Sequence, residues 1–112
     1  MEESKTNPPV IEIDTATESS GRATVRIAGE VDISSSAQLR QALETSLAEP
    51  CRELLLDLSN VGFMDSSGLH ALVETTQAFR ARGGSVKLQN PSRAVCRLLE
   101  ITGIIRCFQV AK

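Results

Sequence analysis

The chain has 112 residues, a formal net charge of −2, no Trp or Tyr and only three Phe. A chain of this length forms one domain with one core, which aliphatic side chains must build. Scattered Lys and Arg residues and the shortage of aromatic side chains argue against a nucleic acid as partner. No apolar stretch approaches the roughly 20 residues that span a bilayer, and the N-terminus is polar, unlike a signal peptide. We therefore expect a cytoplasmic protein with neither a nucleic acid nor a membrane as partner.

The first predicted elements are a β-hairpin and a helix. Residues 1–9 end in Pro8-Pro9 and are expected to form a flexible lead. Short apolar segments around Val10 to Ile13 and over Arg22–Val31 flank a run of turn residues, which predicts an antiparallel hairpin. Asp32 and the serines after it offer N-caps for a helix that runs to about Ala48.

A central strand and a second helix come next. An unbroken apolar run predicts a strand at about Glu53–Leu58 that ends in a turn. Apolar residues at consecutive positions are typical of a strand that is covered on both faces of its sheet. A helix is predicted to begin near Ser66 and to end at Gly83-Gly84.

The remaining pattern completes an α/β fold. A strand around Val86 and Leu88 precedes a helix that is capped near Ser92, ends at Gly103 and has Thr102 on its inner face. A short terminal strand is predicted at Cys107 to Val110. The order β-β-α-β-α-β-α-β predicts a mixed β-sheet, opened by a β-hairpin and with helices packed on it, in one domain over residues 10–112.

The three cysteines favour neither a metal site nor a disulfide framework. Cys51, Cys96 and Cys107 have no CxxC spacing, and their number is odd. We expect reduced, mostly buried thiols and no metal. Because the chain has neither a P-loop nor a GxGxxG motif, we also expect no cofactor.

Two hydroxyls and a carboxylate lie where the central strand gives way to the second helix, in the run Asp65, Ser66, Ser67 and Gly68. Open α/β sheets place functional groups outside strand ends, and a helix N-terminus stabilises an anion. Asp32 follows another strand, so we expect it at the same edge of the sheet. A phosphoryl group on a serine there would add about −1.5 to −2 charges and change the surface that a partner meets. Taken singly, each of these residues also has an ordinary structural interpretation as a helix cap.

Catalysis by the chain itself is not expected. His70, the sole histidine, follows Ser66 by four residues on the predicted helix, so the two side chains could touch. However, the chain has no G-x-S-x-G elbow to present a nucleophile. We therefore expect a protein that is not an enzyme.

Two motifs resemble those of the anti-sigma-factor antagonists, small single-domain proteins of the STAS fold. Gly29-Glu30-Val31-Asp32 is similar to the family's G-E-hydrophobic-D at the end of its second strand. Residues 63–69, Phe-Met-Asp-Ser-Ser-Gly-Leu, closely resemble the family's phosphorylation loop. The spacing of the motifs also fits, so the resemblance covers nearly the whole chain from about Val10.

The resemblance implies a phosphorylation switch. The serine directly after the motif aspartate, here Ser66, would be phosphorylated by an anti-sigma factor that is also a serine kinase. The unphosphorylated form would bind that anti-sigma factor and release the sigma factor, and a serine phosphatase would restore binding. The implied partner-binding residues are Asp32, Asp65, Ser66, Ser67 and Gly68. Only the resemblance ranks Ser66 above Ser67.

Two alternatives stay open. The first is a STAS module without the switch, acting as a scaffold in a multiprotein complex. The second is a receiver-like protein that takes a phosphoryl group on Asp57, which precedes Asp65 by eight residues. A receiver needs an acidic pair after its first strand to hold Mg²⁺, and this chain has Thr15-Ala16-Thr17-Glu18 there.

Overall fold

The computed structural model describes residues 11–18, 20–48 and 51–111. The elements of these residues are β1 (Ile11–Thr17), β2 (Arg22–Val31), α1 (Ser36–Ala48), β3 (Glu53–Met64), α2 (Ser66–Ala81), β4 (Ser85–Gln89), α3 (Arg93–Thr102), a 3-10 turn (Ile104–Cys107) and β5 (Gln109–Ala111). The predicted order of strands and helices is therefore confirmed. The predicted lead at residues 1–9, and Val10, lie outside the described residues.

The five strands form one sheet in the order β1-β2-β3-β4-β5. β1 and β2 are antiparallel, as the hairpin prediction requires, and every later neighbour is parallel. Each of the three parallel connections carries one helix and steps to the next strand in the same direction. Because such crossovers are almost always right-handed, all three helices lie on one face of the sheet. Their buried side chains join the inward-facing strand residues in a single core cluster.

The expectation that the central strand is covered on both faces is wrong. Burial alternates along the first half of β3: Leu54, Leu56 and Leu58 are buried, whereas Leu55 and Asp57 are only half-buried. The alternation arises because the helices cover only one face of the sheet. An apolar side chain at Leu55 gave the sequence the appearance of a strand buried on both faces.

The central strand is also longer than predicted, since it continues beyond Leu58 to Met64. The pairing with β2 persists to Met64 but shifts register twice, and each shift inserts an extra residue into β3. On its other edge, the extension is held by Ser92, whose N–H donates to Leu58 O at 3.2 Å and whose hydroxyl donates to Val61 O at 2.6 Å. The bulges break the two-residue alternation, which is why this segment resembles a turn in the sequence.

The C-terminal segment differs from its prediction in two details. Gly103 ends α3 in the left-handed conformation, with φ of 75°, and the chain then forms a 3-10 turn before β5. Cys107 therefore belongs to that turn and not to the terminal strand. Thr102, the last residue of α3, is exposed instead of facing the core, and its hydroxyl donates to Leu98 O in the preceding turn of the helix at 2.7 Å.

Candidate functional site

The parallel pairing of β2 and β3 brings Asp32 and Asp65 to one edge of the sheet. Val31 is opposite Met64 in the register, and each aspartate is the next residue along its chain. The backbone N–H of Asp65 also donates to Val31 O at 3.0 Å, which ties the two strand ends together. The predicted placement at a common edge is confirmed. That a partner binds there stays a prediction.

Asp65 caps α2. Its backbone is extended, with φ of −110° and ψ of −171°, and its side chain accepts a hydrogen bond from the N–H of Ser67 at 2.9 Å. The same carboxylate oxygen accepts the hydroxyl of Ser67 at 2.5 Å. Satisfying one of the helix's unpaired first-turn N–H groups is the usual task of an N-cap. The interpretation of Asp65 as a helix cap is therefore correct. With Asp65 as the N-cap, the adjacent Ser66 is the first residue of the helix.

The two serines of the motif have different environments, which the sequence could not show. Ser67 is half-buried, and its hydroxyl is engaged by Asp65. Ser66 is exposed, and within the described part of the chain its hydroxyl has no hydrogen-bond partner. A kinase must reach its acceptor oxygen and remove its proton, so local geometry favours Ser66 over Ser67 as an acceptor.

Asp32 organises the turn between β2 and α1. Its carboxylate accepts the hydroxyl of Ser34 at 2.6 Å and the N–H of Ser34 at 2.9 Å. The hydrogen bonds from Ser34, with a smaller contribution from Ser35, hold the pKa of Asp32 below its usual value of 3.8. Asp32 therefore carries a negative charge at neutral pH. Because α1 begins only at Ser36, Asp32 stabilises a turn and does not cap the helix directly.

Gly68 is buried where α2 crosses the strand ends. A Cβ at this position would lie 2.5 Å from Val31 Cγ1 and 3.0 Å from Met64 Cγ. The missing side chain therefore lets α2 pack against β2 and β3. A side chain at this position would therefore disturb the packing of α2 on the strands, and contact between Gly68 and a partner stays a prediction. Gly68 thus helps to position the start of α2, because it allows the helix to lie close to the ends of β2 and β3.

His70 is exposed one turn along α2 and is directed toward Glu74. Its Nε2 lies 3.7 Å from Glu74 Oε2, and Glu74 also accepts a hydrogen bond from Arg40 of α1. The Arg40 hydrogen bond, aided by the charges of Arg40 and His70, holds the pKa of Glu74 below its usual value of 4.5. Within the described ranges no hydrogen bond joins His70 to Ser66, so the geometry gives the Ser–His catalytic pair no support.

The receiver-like alternative is contradicted by the position of Asp57. It lies within β3, where its carboxylate is 3.7 Å from Arg26 Nε and accepts the hydroxyl of Ser59 at 2.7 Å. A receiver's acceptor lies at the end of a strand, and here the strand continues to Met64.

The described residues show neither a metal site nor a membrane-spanning helix. They hold no group of three His, Cys, Asp or Glu side chains that could bind a metal ion. In the same residues, no helix has both the length and the apolar character that crossing a membrane requires.

The exposed side chain of Ile33 at this edge was not predicted from the sequence. It lies between Asp32 and Ser34 in the turn, and 82% of its surface is exposed. The only signal in the sequence was an isolated apolar residue among polar turn residues, which has no periodicity to interpret.

Comparison with known proteins shows the family of the chain. The STAS domain family model matches residues 12–112. An anti-sigma-B factor antagonist of Bacillus subtilis (strain 168) is 44% identical over 80 residues, covering 71% of this chain and 72% of the relative. The solved structure of an anti-sigma factor antagonist from Mycobacterium paratuberculosis superposes with a TM-score of 0.83 at 25% identity, over 96% of this chain and 90% of that one. The Bacillus cell fate determinant SpoIIAA, solved in its phosphorylated form, has a TM-score of 0.70 at 20% identity, over 90% and 92% of the two chains. The chain therefore belongs to the STAS domain family, and its relatives in that family include anti-sigma factor antagonists.

Proposed function

We propose that this chain is an anti-sigma factor antagonist, a cytoplasmic regulatory protein and not an enzyme. The unphosphorylated form binds an anti-sigma factor and thereby releases a sigma factor. The anti-sigma factor phosphorylates Ser66 with its own serine kinase activity, which ends binding, and a serine phosphatase restores it. One observation supports this most: an exposed serine with a free hydroxyl begins α2 beside an aspartate cap, in a relative of an anti-sigma-B factor antagonist.

Electrostatics explain how one phosphoryl group can end binding without unfolding the protein. Phosphorylation adds about −1.5 to −2 charges, and the N-terminus of α2 stabilises an anion at Ser66. The same charge lies next to the carboxylate of Asp65 and at the same sheet edge as Asp32. A partner that docks on the neutral hydroxyl beside these aspartates would meet a different surface after phosphorylation. It would then have to remove water from a cluster of like charges. This cost falls on the complex, and the core is left as it was.

The experiment compares the binding of the wild type and three variants to anti-sigma factors. The purified chain, Ser66→Ala, Ser66→Asp and Ser67→Ala are titrated with the anti-sigma-B factor of Bacillus subtilis and with the anti-sigma factors of the host. We expect binding by the wild type, Ser66→Ala and Ser67→Ala, and weak binding by Ser66→Asp. Ser67→Ala is the control for the acceptor position, because it removes a hydroxyl from the adjacent residue of the same helix and keeps Ser66; its affinity before ATP is added tests whether Ser67 itself contacts the partner.

Addition of ATP separates the switch from binding alone. Incubation with ATP should abolish binding by the wild type and by Ser67→Ala and leave Ser66→Ala bound. Peptide mass spectrometry should then find an acid-stable phosphate on Ser66. Equal binding by all four folded proteins, before and after ATP, would overturn the switch and favour a STAS scaffold module. A phosphate on Ser67 would overturn the assignment of the acceptor.

A further inference from the structure

Exposed apolar side chains lie beside the candidate phosphorylation site. The described residues have four large apolar side chains with substantial exposure: Ile33, Phe63, Ile101 and Val110. Ile33 belongs to the turn after β2, and Phe63 is the last residue but one of β3. Two of the four therefore belong to the edge that holds Asp32 and Ser66. The other two lie on α3 and β5.

The position of Ile33 relative to the site follows from its neighbour Val31. The carbonyl of Val31 accepts the N–H of Asp65 at 3.0 Å, and its Cγ1 lies against Gly68. Two residues of chain span at most about 7 Å, so Ile33 lies within about 7 Å along the chain of Val31, which itself contacts the start of α2. Phe63 precedes Asp65 by two residues on the other strand and is opposite Glu30 in the register.

The turn that carries Ile33 is held by its own hydrogen bonds. Besides the two bonds from Ser34 to Asp32, the hydroxyl of Ser35 donates to Glu30 O at 2.9 Å and accepts the N–H of Asp32 at 3.0 Å. The N–H of Ser36 donates to Asp32 O at 2.8 Å. The polar groups of the turn are thus satisfied internally, while the side chain of Ile33 points into solvent. An apolar side chain presented by a fixed backbone loses little conformational entropy on binding, as an interface anchor requires.

We propose that the anti-sigma factor buries Ile33 and Phe63 in apolar contacts at the sheet edge that carries Ser66, and places a cationic side chain against Asp32. The proposed function supplies this occupant, and the charges of the edge determine the chemistry of the surface that matches it. The edge carries the ionised Asp32 together with Asp65 and the exposed Glu30, so the matching surface is apolar with a basic rim. This inference rests on the proposed function and deepens it.

The apolar contacts also strengthen the switch. A closely packed apolar contact excludes water from the groups beside it, and an anion is costly to bury without a partner. A phosphoryl group on Ser66 would lie at the edge where the complex buries Ile33 and Phe63. The same two side chains that anchor the neutral form would therefore prevent hydration of the phosphorylated one.

The test truncates matched apolar residues and measures partner affinity. Ile33→Ala is compared with Ile101→Ala, because Ile101 has nearly the same exposure, at 78%, and lies on α3. Phe63→Ala is compared with Val110→Ala. The probe is the anti-sigma factor that binds the wild-type chain most tightly in the experiment above, titrated by calorimetry. We expect the Kd to rise about tenfold or more for Ile33→Ala and Phe63→Ala, and less than twofold for the two controls.

Each outcome separates this inference from the proposed function. If the wild type binds and Ser66→Asp does not, but Ile33→Ala binds as the wild type does, the apolar anchor is overturned and the switch stands. Equal weakening by Ile101→Ala would also overturn the anchor, since the contact would then lie on another face. If the wild type binds no anti-sigma factor, the proposed function fails and takes this inference with it. Ile33→Leu, which keeps the apolar area, should restore binding if burial is the cause.

Discussion

Aspartate side chains shape the backbone of this chain at three positions with the same spacing. In each, a carboxylate accepts both the N–H and the hydroxyl of the serine two residues later: Asp32 with Ser34, Asp57 with Ser59, and Asp65 with Ser67. The residue between the two members is exposed where the pair lies at the sheet edge, as at Ile33 and Ser66. Within β3 that middle residue is the buried Leu58. The same local chemistry therefore exposes the middle residue only at a strand end.

Gly68 offers a test of this packing at the level of one residue. Alanine is preferred to glycine within a helix by about 1 kcal/mol, so helix propensity alone predicts that Gly68→Ala is stabilising. Its Cβ would meet the buried, β-branched Val31 at 2.5 Å, and overpacking costs about 1–3 kcal/mol. We expect a net loss in the free energy of unfolding, measured by urea denaturation.

The chain contains a suitable control for this substitution. Gly62, in β3, also lacks a positive φ, and a Cβ there would meet no described atom within 4 Å. Gly62→Ala should therefore leave the midpoint of urea denaturation almost unchanged. A Gly68→Ala variant at least as stable as the wild type would show that α2 can move away from Val31 and that the close packing is not required.

The helices were easier to predict than the strands because their ends depend on local chemistry. Asp65, Ser92 and Gly103 each cap a helix with groups that lie within a few residues of one another, so the sequence pattern is sufficient. The length of β3 depends instead on pairing with β2 and on hydrogen bonds from Ser92, which is about 30 residues distant in the chain. No local pattern records such contacts, and the bulges conceal the strand further.

The candidate site shows the same division. The common edge of Asp32 and Asp65 was predictable, because consecutive parallel strands end on the same side of a sheet. The difference between Ser66 and Ser67 was not, since it arises from which hydroxyl reaches Asp65 in three dimensions. The exposure of Ile33 was equally hidden, because it depends on how the turn is folded.

Ser92 links two elements, and we expect its removal to affect both. Its side chain accepts the N–H of Val95 at 3.3 Å at the start of α3 and donates to Val61 O in the bulged part of β3. A lost N-cap costs about 1 kcal/mol, and a lost hydrogen bond that leaves a carbonyl unpaired adds about 1 kcal/mol. Ser92→Ala should therefore lower the free energy of unfolding by about 2 kcal/mol.

The comparison for Ser92→Ala is Ser20→Ala, at an exposed serine of the turn between β1 and β2. Among the described residues, that hydroxyl makes a single long hydrogen bond, 3.4 Å to Glu18. Chemical denaturation of both variants measures the difference. Similar stability of the two variants would mean that water replaces Ser92 at Val61 and at the cap.

At the scale of the whole molecule, the sheet edge that carries Ile33 and Ser66 is separate from the core. The core cluster is formed by the helices and the inner face of the sheet, and it includes neither Ile33 nor Ser66. A charge added at Ser66 therefore alters the surface without removing any core contact. A switch that a kinase and a phosphatase reset repeatedly requires this separation, because the protein must remain folded in both states.

The ion pair between Arg40 of α1 and Glu74 of α2 joins the two helices. We expect it to make the stability of the whole molecule depend on pH. The pKa of Glu74 is lower in the folded chain than its usual value of 4.5, first because Arg40 donates to it. A carboxyl with a lowered folded pKa contributes stability above its unfolded pKa and loses that contribution as the pH falls through the folded value. The wild type should therefore lose stability below about pH 4.5, and Glu74→Gln should lose less over the same range.

The measurement is the free energy of unfolding by urea at about pH 6 and about pH 3, for the wild type, Glu74→Gln and Glu100→Gln. Glu100→Gln removes the same charge from an exposed position on α3 where, among the described residues, no ion pair is found. It should therefore follow the wild type. High salt should reduce the difference between the wild type and Glu74→Gln, because Arg40 and Glu74 are both partly exposed and screened by ions. Parallel pH curves for the wild type and Glu74→Gln would show that this ion pair contributes nothing to the free energy of unfolding. In that case α1 and α2 are held together by their buried apolar side chains alone.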